Sequence, residues 1–177
     1  MDLLKVRHFL AVLLGAVSLF ISGCVMTMPK PLLSSRHVQN VPDLVGRYLD
    51  ERGEEVRILA SDATNNNSFV AYPPNKKNSL YVTIQQLSGS QYIVQAKPEG
   101  GQGVFLSVAE ISLPKITVYV FPNSGGAVME LASRNQVAVN EDGLITEYKS
   151  AQGIITFFQS LFSINDKEPL VFTKQAR

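Results

Sequence analysis

Leu80-Tyr81-Val82-Thr83-Ile84-Gln85 sets Leu80, Val82 and Ile84 on one face and Tyr81, Thr83 and Gln85 on the other. That two-residue period belongs to a strand with one buried face. Ser88-Gly89-Ser90 breaks the run as a hairpin does, and Tyr92-Ile93-Val94-Gln95-Ala96 resumes it. Glu99-Gly100-Gly101-Gln102-Gly103 breaks it again before a longer β run from Val104 to Leu113. In that run Val104, Leu106 and Val108 share a face, Glu110 falls where a fourth apolar residue is due, and Ile111 and Leu113 take the opposite parity. A bulge near Ala109 would restore the phase and turn Glu110 outward; the other reading is a buried acid with a raised pKa.

Outward from this centre the same grammar continues. Towards the C-terminus, Ile116 to Phe121 reads as a strand, Pro122 to Gly126 as a turn, and Ala127–Ala132 with Gln136–Val139 as a further strand pair. Asn140-Glu141-Asp142-Gly143 is a turn, and Leu144–Tyr148 reads as a strand. Towards the N-terminus, Phe69–Tyr72 and Glu55–Leu59 read as strands, and Leu44–Leu49 either opens a first strand or forms one helical turn, the strand being preferred. The period changes only at Ile154, Ile155, Phe158, Leu161 and Phe162, an apolar helical stripe with Ser150 placed to cap it. A last short strand, Leu170–Thr173, follows Pro169. The fold class is therefore mainly β (α+β). An antiparallel meander is expected to curl into a barrel or half-barrel, plugged or flanked by one C-terminal helix whose stripe closes the open side. Such arrangements occur among lipocalin-like envelope proteins, although no motif here specifies a family for the domain.

The first residues carry a different message. Lys5 and Arg7 precede an almost wholly apolar run from Phe9 to Ile21, which ends at Ile21-Ser22-Gly23-Cys24. A basic start, a short apolar run and small residues form a secretory signal, and the run is shorter than the ~20 residues of a spanning helix. The segment resembles the lipobox of bacterial lipoproteins. The resemblance covers residues 1–24 alone and implies cleavage before Cys24 and a diacylglyceryl group on its sulfur. It divides the chain into a cleaved signal peptide (1–23), a lipidated N-terminus and tether (24–42) and a single β-rich domain (43–177). The tether is inferred from Pro29, Pro31, Pro42 and Ser34-Ser35; an extended spacer of this kind reaches about 50 Å, unless part of it packs on the domain. Val25 stands where, in the enteric lipoproteins, Asp signals retention in the inner membrane. The resemblance therefore implies the outer membrane of a Gram-negative cell, with the domain facing the periplasm.

Composition narrows the function. The chain holds 16 basic and 15 acidic residues, so it lacks the basic face on which nucleic-acid binding leans. Lys76-Lys77 reads as a solvated loop. Cys24 is the only cysteine, and His37 is the only histidine beyond the signal segment, which leaves no nitrogen and sulfur set for zinc and no placed base for a nucleophile. Glu141 and Asp142 lack calcium-loop spacing. Gly100-Gly101-Gln102-Gly103 precedes a strand and not the helix that a phosphate loop needs. Glu110 is the one acid that could be nominated for chemistry. Tyr81, Tyr119 and Phe121 either form an exposed aromatic face or pack under the helix. No cofactor, no metal and no enzymatic activity are expected. The expected role is that of a membrane-anchored envelope protein that binds a partner or supports the envelope, with a lipocalin-like binder of a small apolar ligand as the alternative.

Overall fold

The computed structural model describes residues 26–33, 43–61, 68–73, 79–101, 103–121, 126–140, 143–165 and 167–176. The strands are β1 (Met26–Met28), β2 (Gly46–Asp50), β3 (Glu55–Ala60), β4 (Ser68–Tyr72), β5 (Leu80–Ser88), β6 (Gln91–Pro98), β7 (Val104–Ser112), β8 (Lys115–Val120), β9 (Val137–Val139), β10 (Ile145–Tyr148) and β11 (Glu168–Lys174). Two helices, α1 (Gly126–Arg134) and α2 (Ala151–Leu161), fall between β8 and β11.

Strands β2 to β8 form an antiparallel meander, and β11 pairs with both β8 and β2. The sheet thus closes into an eight-stranded barrel in simple up-and-down order, interrupted by one insertion that carries α1, the β9–β10 hairpin and α2. Closure leaves no free edge in the barrel wall. The C-terminal helix α2 packs against the barrel, flanking it as expected, but it does not close the open side, because β11 does.

Two apolar cores follow from this arrangement. The inner one holds Tyr48, Phe69, Ile84, Tyr92, Ile111 and Ile116. The outer one joins Ile93, Val104, Leu106 and Val108 on the barrel's outer wall to Val128 and Ala132 of α1 and to Ile154, Phe157, Phe158 and Leu161 of α2. β7 is accordingly buried on both faces, and its pairing with β6 and with β8 runs without a break. No bulge occurs near Ala109. The change of phase in the sequence arises because the outward residues Val104, Leu106 and Val108 meet the helices, while the inward residues Ala109 and Ile111 meet the barrel core.

Ala127–Ala132, expected as a strand, is helical. Ala, Met, Glu and Leu favour helix, and Val128, Leu131 and Ala132 form a helical stripe against the outer core. Ser150 caps α2 as expected, its hydroxyl accepting from the Gly153 amide at 2.9 Å. β1 was not expected. It pairs with the first half of β7, on the same edge that β8 occupies further along. Thr27 also donates to the Gly143 carbonyl at 3.1 Å. Gly103 has φ 80°, and a Cβ there would lie 3.2 Å from the Met28 carbonyl oxygen, so glycine lets β1 approach this closely. Among the described residues, no helix is long and apolar enough to cross a membrane.

Candidate functional site at the barrel mouth

The two ends of the barrel differ. At one end lie residues 43–45, the Gly89-Ser90 turn and the Leu113-Pro114 turn. Here most inward side chains are large and buried, namely Tyr48, Phe69, Ile84, Tyr92, Ile111 and Ile116, with small, exposed Ala60 of β3 as the exception. Leu44 joins them from below, and the Tyr48 hydroxyl donates to its carbonyl at 3.0 Å. This end is a packed floor. Burial of Tyr48, together with the charge of Asp43, pushes its phenol up to about 12.

At the other end the inward side chains meet water. Exposure rises towards it from Tyr92 to Val94 and Ala96 along β6, from Ile84 to Val82 and Leu80 along β5, and from Phe69 to Ala71 along β4. The same holds from Ala109 to Phe105 along β7 and from Ile116 to Val118 and Val120 along β8. Along β11 it runs from half-buried Phe172 to Leu170, which is 45% exposed. The residues also shrink, from Tyr, Phe and Ile at the floor to mostly Ala and Val above it. The barrel thus has a filled base and an apolar, half-exposed opposite end. An eight-stranded barrel is just wide enough to be filled by side chains or to hold one small ligand; such a barrel is compatible with a lipocalin-like binder.

Glu110 stands elsewhere. It faces outward from β7, half-buried, and accepts a hydrogen bond from the Tyr119 hydroxyl at 3.0 Å. Burial, with the hydrogen bond and charge of Glu110, raises the Tyr119 phenol. The Tyr119 ring meets Phe162 edge-on at 5.9 Å, and Lys167 Nζ lies 5.3 Å from its centroid. Tyr119 and Phe121 thus belong to the outer core beside α2, whereas Tyr81 does not. Tyr81 forms a cross-strand row with Val70 and Leu59 on the opposite outer wall; Tyr81 is 46% and Leu59 47% exposed. A shallow open groove between α1 and the β9–β10 hairpin is lined by Ser133, Gln136, Val137, Ala138, Glu147 and Lys149. Cys24, His37, Lys76-Lys77, Gln102, Glu141 and Asp142 lie outside the described residues.

The mouth was not legible as a site. Alternation correctly turns Val82 and Ile84 inward, but the gradient appears only once the barrel end shared by each strand is known. Compared with protein-family models, curated proteins and solved structures, the chain matches none.

Proposed function

We propose that the chain is a lipid-anchored, periplasm-facing envelope protein of the outer membrane, without enzymatic activity, whose barrel binds a small apolar ligand in its mouth. The observation that carries the ligand is the rise in exposure of small inward apolar residues above a packed floor. Apolar surface left in water inside a concave wall is the ordinary starting condition of a ligand site. The anchor rests on Ile21-Ser22-Gly23-Cys24. Glu110, the one acid nominated for chemistry, supports the non-enzymatic reading, because its carboxylate is engaged by Tyr119 on the outer wall, away from the mouth.

A native mass spectrum of the protein taken from its host membrane tests the ligand: a retained apolar molecule at one per chain is expected, and a bare chain counts against it. Cys24→Ala tests the anchor. The variant should leave the membrane fraction and lose labelling by radioactive palmitate; unchanged membrane association would refute lipidation. A second reading, docking of an envelope protein partner, is favoured by the Leu59–Val70–Tyr81 row. Crosslinking in intact cells from position 81 would capture one specific protein if that wall is the working surface.

A further inference from the structure

We infer that the ligand of the mouth is a single aliphatic chain of acyl type, inserted tail first with its polar head left at the rim. This rests on the reading of the barrel as a ligand binder and names what that ligand is.

The first argument is polarity. Inward polar groups within the wall are few and engaged, while Glu168, on the same inward parity as Leu170 and Phe172, sets a carboxylate at the rim. The Ser107 hydroxyl donates to the Tyr119 carbonyl. Asp50, at the rim, accepts from the amides of Arg52 at 2.9 Å and Glu54 at 2.7 Å. The Tyr48 hydroxyl is held by the Leu44 carbonyl. A ligand with polar atoms along its body would find no partners there and would lose its hydrogen bonds to water. The described lining above the floor, from Ala71, Leu80 and Ala96 round to Phe105, Val120 and Leu170, offers carbon to a ligand's body.

The second argument is shape. The wall runs from Ile84 at the floor to Leu80 at the rim, about 13 Å of strand, which at a tilt of ~40° is about 10 Å along the barrel axis. A bore of eight strands, where side chains do not fill it, holds one small ligand. A depth of about 10 Å is roughly two thirds of the ~15 Å that the chains of one bilayer leaflet span. A membrane acyl chain would therefore reach the floor with its remaining carbons in the open mouth. A flexible chain also suits a lining built of small, unspecialised residues, since nothing in it demands a fixed ligand geometry.

Chains of this chemistry come from two sources, a membrane phospholipid or a free fatty acid. The test places the full chain in phosphatidylcholine vesicles with a photoreactive diazirine at the terminal carbon. In one arm the diazirine is on the phospholipid's acyl chain, and in the other on an added free fatty acid. Label on Ile84, Tyr92 and Val94 is expected in at least one arm, and the arm that gives it names the source. Ala96→Trp, which fills the mouth, should cut that label at least tenfold. Label on exposed outer-wall residues should not change. Ala71→Phe is the second variant, with a thermal melt of each to show that the barrel has folded. Absence of label from the inward residues in both arms overturns the chain. So does inward label that survives a folded mouth-filling variant. The native mass spectrum then separates the two failures: a retained molecule without a chain leaves the ligand-binding reading in place, whereas a bare protein removes both.

Discussion

Tyr48 combines two physical demands in one side chain. It fills the floor of the barrel at 0% exposure, and its hydroxyl must be satisfied there, which the Leu44 carbonyl does at 3.0 Å. The phenolate would have to exist without water and near Asp43, so the phenol is pushed up to about 12. An unfolded chain titrates this group near 10. Between about pH 10 and 12 the unfolded state has therefore released a proton that the folded state still holds, and stability falls as pH rises through that window. Below pH 10 the contribution is fully present. The loss should approach about 2–3 kcal/mol by pH 12. Denaturant unfolding at pH 9 and pH 11.5 checks this, and Tyr48→Phe should flatten the decline. An equal slope in the variant would place the alkaline loss elsewhere. Glu110 carries a different lesson at the same scale. Its position in the sequence marks a break in alternation, and the break records where β7 changes from helix-covered outward residues to a half-buried carboxylate held by Tyr119.

The segment after β1 is clamped by one side-chain amide. Gln95 faces outward from β6 and is buried; its Oε1 accepts from the amides of Leu32 at 2.7 Å and Leu33 at 2.8 Å, and its Nε2 donates to the Leu33 carbonyl at 3.3 Å. This holds the segment after β1 on the wall. Gln95→Leu keeps the volume and strands the buried amide of Leu33 and the half-buried amide of Leu32, which should cost roughly 2 kcal/mol. Hydrogen exchange should quicken in residues 26–33 and stay unchanged in β3 to β5; uniform quickening would mean that the segment is part of the barrel's cooperative unit. Elements such as this mark the limit of what the sequence disclosed. The hairpin rhythm from Leu80 to Phe121 is local, so it was readable. So was α2, whose stripe and Ser150 cap are a few residues apart. β1 was not, because Met26-Thr27-Met28 is strand only by virtue of an edge that β7 offers from more than seventy residues away. α1 was misread because its apolar stripe is brief, and its true partner, the outer core, lies across the fold. Phe157 was overlooked for the same reason: it is fully buried beside Phe158, at a ring distance of 5.3 Å, because α2 is covered on a wider arc than its sequence stripe implied.

At the scale of the molecule, the fixed position of β1 changes what the proposed anchor can do. A spacer over residues 25–42 would allow the barrel to stand about 50 Å from its lipid. But β1 is held on β7 from Met26 onward, and the next residues are clamped by Gln95. Any free leash must lie before Met26. From Cys24 to Met26 there are two peptide bonds, a reach of about 7 Å at most. With Cys24 acylated as proposed, the barrel rests against the headgroups. This also bears on the mouth, since a chain taken from the bilayer would have little water to cross. Neutron reflectometry of the lipidated protein on a supported bilayer measures the separation. A water gap no thicker than about 10 Å is expected between headgroups and protein. Insertion of a twelve-residue Gly-Ser linker between Val25 and Met26 should widen it by roughly 20 Å. If the unaltered protein already stands tens of ångströms away, β1 leaves β7 at the membrane, and the anchored barrel is a tethered one after all.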